Sequence, residues 1–448
     1  SKGETMSRVF ANPLPELAEY EEMNQALNRG KGPVQISGCM DSQKVHLMEE
    51  AGEAYAWKLV VTYDDSRARE IYEDFRCFGD RVWLYPARDL LFYSADIHGN
   101  LLTRQRLSVI KHLIEDPSGV VVTTLDGLMD RLLPLEVLRS QILTVAQGES
   151  IDIDQWRRRL ASMGYERMAQ VDGMGQFSIR GGIIDVFPLT EELPFRIELW
   201  DDQVDSIRTF DLESQRSVEQ VDRAVLYPAS EQALGRDQLE AGLKRIKEAA
   251  RKQEKILRDQ RKTEEAHRIS SLIREFAESM EEGAAGSGLD SYLTYFCRDT
   301  VSFQQYFPEQ DAAVFLDEPG RLKERGETVE AEFRESMVHR LEKGYLLPGQ
   351  TDILWSAGQT AAALAGKRSV LFSALEQKAF PVKKRYSMTV KNGNSYKNGF
   401  ELLAGIMIFV LHGSFIIQRH TKRQQLKESS PAPSRRSPAD TSRRLTGA

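Results

Sequence analysis

The run Val34-Gln35-Ile36-Ser37-Gly38-Cys39-Met40-Asp41-Ser42-Gln43-Lys44-Val45 sets the reading of the whole chain. A short apolar segment ends at a glycine and passes into a helix-forming stretch. A phosphate-binding loop of the form GxxxxGK[ST] occupies this strand-to-helix position. Gly38 and Lys44 stand at its first glycine and its lysine, but Gln43 replaces the second glycine and Val45 replaces the hydroxyl residue. A Cβ at position 43 restricts backbone that must curl around phosphates, and a valine offers no oxygen to Mg²⁺. Asp41 adds a negative charge that repels a triphosphate. The expectation is a nucleotide fold whose ligand site has degenerated.

Outward from this loop, Lys58-Leu59-Val60-Val61-Thr62, Val82-Trp83-Leu84-Tyr85 and Gly119-Val120-Val121-Val122-Thr123 repeat the short apolar signature. Amphipathic segments separate them, as in βαβ crossovers around a buried parallel sheet, with ligands expected at the carboxyl ends of the strands. Far downstream, Ala313-Val314-Phe315-Leu316 restores the pattern and ends in Asp317-Glu318-Pro319, the place where an acidic pair would hold Mg²⁺-bound water. Solvated carboxylates at a strand end are the plainer reading of Asp317 and Glu318. Two β/α segments that flank an insertion suit one discontinuous domain.

The insertion has a different character. From Gln176 to Phe210, short strands are punctuated by Gly181-Gly182, Leu193-Pro194 and Asp201-Asp202, which marks a small antiparallel α+β domain. In Phe195-Arg196-Ile197-Glu198-Leu199-Trp200 a period of two sends Phe195, Ile197 and Leu199 to one face and Arg196, Glu198 and Trp200 to the other. One face must be core. Arg180 alternates outward in the same manner just before the glycine pair. Exposed tryptophan and arginine are common anchors of protein contacts, although the indole packing under a loop and the arginines pairing with Asp201 or Asp202 remain open. Between Arg236 and Glu282, a charge-rich stretch with Leu243, Ile246, Ala250, Ile256 and Leu257 at helical spacing predicts a long solvated helix or helical pair.

The expected fold class is therefore α/β: a parallel-sheet, P-loop-like domain with a degenerate nucleotide site, interrupted by a small α+β domain and followed by a long helical segment. The expected divisions are 1–147, 148–230, 231–350, 351–403 and 404–448. The chain has 448 residues, with 60 Lys and Arg against 67 Asp and Glu for a net charge of −7, which argues against a generally basic nucleic-acid coat. Cys39, Cys77 and Cys297 are too few and too scattered for a disulfide framework or a zinc cluster and suit a reducing cytoplasm. The seven histidines show no metal spacing, and no catalytic triad stands out. His46 is read as a packing residue, Arg104-Gln105-Arg106 as a solvated helix face, and Lys383-Lys384-Arg385 as a basic cluster on a linker. Leu402 to Ile417 is a 16-residue apolar run. It falls short of the ~20 residues of a membrane span, and a polar tail follows it. A foreign or shortened terminus is the expected reading, ahead of a membrane-tethered adaptor.

Taken in order, the degenerate loop, Ser178-Ile179-Arg180-Gly181-Gly182-Ile183-Ile184-Asp185-Val186-Phe187-Pro188, Arg196-Ile197-Glu198-Leu199-Trp200-Asp201-Asp202 and Leu316-Asp317-Glu318-Pro319 resemble one family. It is the bacterial transcription-repair coupling factor, Mfd, in its amino-terminal module, which is similar to the excision-repair protein UvrB. The resemblance runs from about Val9 to Leu403. It implies a UvrB-like domain carrying the degenerate loop, a UvrA-binding small domain, and a further domain with long helices and the acidic strand end. It also implies that Arg180, Arg196 and Trp200 contact UvrA, with no catalytic residue and no metal in this chain. Family members couple stalled RNA polymerase to repair through a translocase on double-stranded DNA, driven by ATP and Mg²⁺. Those motor and polymerase-binding domains are expected beyond this chain's end. A UvrB-like ATPase or helicase fragment using Lys44 and Asp317 is the alternative. A damage-probing hairpin of UvrB is expected to be missing between Tyr85 and Arg104.

Overall fold

The alternation of apolar runs and amphipathic stretches becomes a regular order of elements in the computed structural model, which describes residues 24–27, 33–39, 41–88, 99–281, 288–375 and 384–387. First come β1 (Val34–Ser37), α1 (Asp41–Ala51), β2 (Trp57–Thr62), α2 (Asp65–Phe75), β3 (Val82–Tyr85), α3 (Gly99–Glu115) and β4 (Gly119–Thr124), then the short helices α4 (Leu125–Met129) and α5 (Leu135–Ser140). The small body follows: β5 (Leu143–Ala146), α6 (Ile153–Ser162), β6 (Glu166–Arg167), β7 (Gln176–Arg180), β8 (Ile183–Val186), β9 (Phe195–Trp200), β10 (Gln203–Phe210), β11 (Ser217–Val221) and β12 (Arg223–Leu226). Next are α7 (Arg236–Asp259), α8 (Thr263–Glu281), α9 (Leu293–Phe296), β13 (Ala312–Asp317), α10 (Pro319–Glu342), α11 (Ala357–Ala365), β14 (Ser369–Ser373) and β15 (Lys384–Ser387).

The seven-stranded sheet runs β15-β1-β14-β13-β2-β4-β3, and every pairing in it is parallel. Strands before and after the insertion lie side by side, β13 against β2 and β14 against β1, so the two flanking segments build one discontinuous α/β body. Both faces are buried, which explains the unbroken apolar runs. Leu59, Val61, Val121, Val314, Leu316 and Leu371 enter one core, whereas Val60, Val120, Val122, Phe315, Val370 and Phe372 enter the other. Helices α1 and α2 pack on the second of these faces through Val45, Met48, Ala68, Ile71 and Phe75. Asp64 caps α2, its carboxylate accepting from the Arg67 backbone N–H.

The small body is built on an antiparallel sheet, β11-β10-β9-β8-β7-β6, in which the two-residue β6 alone pairs parallel. Its inner face carries Phe177, Ile184, Val186, Phe195, Ile197, Val204 and Ile207 against Trp156 and Leu160 of α6. β5 pairs with β12, so residues ahead of 148 contribute to this body as well. The hairpin between β7 and β8 turns on Gly181-Gly182. Gly181 has φ +59°, and a Cβ on Gly182 would stand 2.9 Å from the Leu199 carbonyl oxygen. Two-residue hairpins with a positive φ at the first central position favour glycine there.

The charge-rich stretch forms a pair of helices, α7 and α8, connected through Arg261 at φ +61°. Gly242, Ile246, Ala250, Gln253 and Leu257 face inward, while Ile256 stays 48% exposed. At Gly242 the Phe296 ring lies so close that a Cβ would meet it at 2.0 Å, which makes glycine the only residue that fits without repacking. Lys384 and Arg385 belong to edge strand β15, not to a linker, because their backbone pairs with Val34 and Gln35; Lys383 lies outside the described residues. The run from Leu402 to Ile417 and the tail behind it also lie outside them, as does 89–98 within the expected gap between Tyr85 and Arg104. Among the described residues, no helix is long and apolar enough to cross a membrane.

Candidate functional site

The carboxyl edge of the parallel sheet brings together the four residues singled out there. Gly38 ends β1 at φ +87°, and its N–H donates to the Ser373 carbonyl at 3.0 Å. Helix α1 begins at Asp41, so the loop positions from Asp41 to Lys44 are already helical. Lys44 is 1% exposed, with its Nζ 2.8 Å from Asp317 Oδ1, 2.6 Å from Glu318 Oε1 and 3.3 Å from Asp41 Oδ1. An ammonium has three N–H groups, and three carboxylates surround this one. Burial works against its charge, yet Asp317 and Glu318 offset that and hold the pKa above the ordinary lysine value.

Asp317 is fully buried, which corrects the reading of it as a solvated strand end. Its second oxygen, Oδ2, accepts from Thr62 Oγ1 at 3.0 Å and from Arg67 Nε at 3.2 Å. Arg67 also reaches Glu70 at 3.0 Å and Asp41 at 3.1 Å. Glu318 sits at φ +51°, and its Oε1 also accepts from the Ala374 N–H at 2.8 Å. Both cations are paired within the cluster, where Lys44 and Arg67 face four carboxylates, Asp41, Glu70, Asp317 and Glu318. Arg67 carries no motif and was invisible in the sequence.

The second candidate lies on the outer face of the six-stranded sheet. Arg180, Ile183, Asp185, Arg196, Glu198 and Trp200 share that face through the pairings Arg180↔Ile183, Ile183↔Glu198 and Asp185↔Arg196. Trp200 is 81% exposed, at the end of β9 where the chain turns through Asp201 at φ +60°. Neither arginine pairs with Asp201 or Asp202. Both go to Asp185, which is fully buried. Arg196 donates Nε to Oδ1 at 2.7 Å and Nη2 to Oδ2 at 3.0 Å, and Arg180 Nη2 reaches Oδ2 at 2.7 Å. Arg196 also donates to the Gln215 carbonyl and to Gln215 Oε1, both at 3.2 Å, and its guanidinium lies 4.3 Å from the centre of the Phe210 ring. The hydrogen bond to Asp185 raises the Arg196 pKa despite partial burial. Glu198 is held by Ser206 at 3.1 Å and lies 3.6 Å from Arg208.

Arg106 is not on a solvated helix face. It is wholly buried, donates Nε to Glu231 at 2.7 Å and Nη1 to the Pro86 carbonyl at 2.8 Å, and lies 3.0 Å from Asp130. Arg88 joins it on Glu231 at 2.8 Å. Burial alone would push the Glu231 carboxyl up, but the two guanidiniums pull it below the ordinary range. This cluster fastens α3 to the segment that leaves β12. Arg104 pairs with Glu192 at 2.7 Å, and half-buried His46 packs edge-on against Phe78. Among the described residues, no group of His, Cys, Asp and Glu has the geometry to hold a metal ion.

Residues 143–231 match the family described as the UvrB interaction domain, a span that runs from β5 through β12 to Glu231. The transcription-repair-coupling factor of Bacillus subtilis (strain 168) is 31% identical over 365 residues, covering 81% of this chain and 30% of that protein. This chain resembles the transcription-repair-coupling factors. The transcription-repair-coupling factor of Staphylococcus aureus (strain USA300) gives the same picture, 29% identical over 360 residues, 79% of this chain and 30% of that protein. The chain thus spans 30% of the length of these curated relatives. The span matched by the UvrB interaction domain contains Arg180, Asp185, Arg196 and Trp200.

Proposed function

We propose that this chain serves transcription-coupled nucleotide excision repair in the cytoplasm as a binding module that recruits UvrA. The observation that carries the reading is Trp200. An indole 81% exposed at the end of β9 buries little on folding, and tryptophan is a common anchor of protein contacts. Arg180 and Arg196 stand on the same face, and the span matched by the UvrB interaction domain contains all three residues.

The same proposal assigns the carboxyl edge of the parallel sheet as a degenerate nucleotide site, formed by Gly38, Lys44, Asp317 and Glu318, without catalysis, ATP or metal in this chain. The coordination of Lys44 by three carboxylates supports it, because a triphosphate would have to displace all three. Release of stalled RNA polymerase by ATP-driven movement along double-stranded DNA is assigned to parts of the coupling factors outside the compared 30%.

Titrating purified UvrA against the chain and against Trp200→Ala tests the docking role. Loss of a true anchor costs about 2 kcal/mol or more, roughly a thirtyfold weaker Kd, with the thermal midpoint unchanged. Equal affinities for the two proteins would remove the face from the interface.

A further inference from the structure

Helix α7 and the turn behind it concentrate positive charge in an acidic chain. Residues 244–262 hold nine Lys and Arg against three Asp and Glu, whereas the whole chain carries a net charge of −7. The inward side of α7 is taken by Gly242, Ile246, Ala250, Gln253 and Leu257. On the opposite side Lys244, Arg251 and Lys255 are all exposed, and at 3.6 residues per turn they fall within about 40° of one another. Exposed Lys252 flanks this stripe, and exposed Arg261 stands at the turn that follows. Helix α8 has five Glu against two Arg, so the positive surplus ends at that turn.

The fold makes use of other cations in this stretch. Arg245 donates to the Tyr295 and Phe296 carbonyls at 2.6 and 3.2 Å, and Arg258 pairs with Glu254 at 2.5 Å. Among the described residues, Lys244, Arg251, Lys252, Lys255 and Arg261 have no ion-pair partner. Glu248 lies four residues from Lys244 and three from Arg251 without an ion pair to either. Arg251 and Lys255 are four residues apart, the spacing at which like charges destabilise a helix. The stripe therefore costs the helix some stability and contributes no contact to the fold, and a polyanion laid along it relieves the repulsion.

We infer that this face of α7 is a contact for the phosphate backbone of a DNA duplex, made without regard to sequence through Lys244, Arg251, Lys252 and Lys255. From Lys244 to Lys255 the helix rises about 16 Å, a length over which a duplex presents roughly ten phosphates. A helix and a duplex are both stiff, so their charges meet without the ordering cost that a flexible acidic peptide would add. Each phosphate neutralised releases condensed counterions, which makes such a contact favourable and strongly dependent on salt. The choice of DNA as the duplex rests on the repair reading above; the stripe itself uses none of the residues assigned to UvrA.

Fluorescence anisotropy of a short labelled DNA duplex of mixed sequence, titrated with the full chain over a range of salt, tests it. Four phosphate contacts predict a slope of about −3.6 in log K against log salt, roughly a hundredfold loss between about 50 and 200 mM. The triple variant Lys244→Gln, Arg251→Gln and Lys255→Gln is expected to bind at least tenfold more weakly at the low-salt end and to flatten the slope by about 2.7. Its thermal midpoint and its affinity for UvrA are expected to stay at the parent values. Parent-like duplex affinity and slope in that variant would overturn the inference. Glu248→Gln, which removes the carboxylate beside the stripe, is expected to tighten duplex binding about twofold to threefold, and a weaker complex would contradict the assignment. Displacement of the duplex by poly-glutamate at equal charge, or tenfold tighter binding of an RNA duplex of the same sequence, would also overturn it. Trp200→Ala against UvrA is a separate arm: parent-like affinity there would remove the docking reading and leave the duplex result as measured.

Discussion

At the carboxyl edge of the parallel sheet, Asp317 gathers Lys44, Arg67 and Thr62 into a buried cluster, and on the outer face of the small body, Asp185 gathers Arg180 and Arg196. Both centres are fully buried carboxylates that hold two cations. They differ in what is left over. Around Asp317 each cation is 7% exposed or less, and further carboxylates complete the set. Around Asp185 one guanidinium is nearly half exposed, and an indole stands clear of the surface on the same face. The same chemistry thus buries both cations at one site and leaves a guanidinium and an indole exposed at the other. The comparison teaches that a buried ion pair is not itself a functional signal. The signal is the donor or apolar surface it leaves unsatisfied.

The largest way to break this contrast is Asp317→Ala. It strands Lys44 and Arg67 in the interior, and removing one partner of a buried pair costs about 3–5 kcal/mol. Urea unfolding of the variant should show a loss of that size, and a loss under about 1 kcal/mol would mean that the edge is solvated after all. A smaller effect is expected at the hairpin that presents Arg180. Gly181→Ala forces a Cβ into a left-handed conformation at a cost of about 1–2 kcal/mol, read in the same assay. The thiols report on the α/β body without altering stability. Burial pushes Cys39 up to about 12 and also raises Cys297, whereas Cys77 is exposed. At neutral pH, Ellman's reagent should label Cys77 at once and the other two only on unfolding. Prompt labelling of Cys39, which lies beside Gly38, would show the edge to be open. The smallest effect is expected from Mg-ATP: calorimetric titration should give no saturable heat, and micromolar binding would restore the nucleotide reading.

Much of the fold was legible because parallel strands buried on both faces leave continuous apolar runs, as at Leu59 to Val61 and Val314 to Leu316. The outward face of β9 followed from its period of two, since burial of Phe195 and Ile197 forces Arg196 and Trp200 to the other side. The partners of those residues were not legible. Asp185 lies eleven residues from Arg196, and only the pairing of β8 with β9 sets them opposite. A lone carboxylate inside the apolar run Ile183-Ile184-Asp185-Val186 was the available clue, because a charge at a strand position that must be covered needs a cation. Arg67 and Arg106 left no such clue. Each sits on an amphipathic helix among other charges, and its burial depends on carboxylates 250 and 125 residues away in sequence.

The central claim, one site closed and the other open, is tested most directly by hydrogen–deuterium exchange of the chain with and without saturating UvrA. Slowed exchange is predicted at residues 180–184 and 198–203, around the two turns that carry Arg180 and Trp200, with residues 38–45 and 317–318 unchanged. Protection at the edge around Lys44 and Asp317, with none at the outer face, would contradict the account.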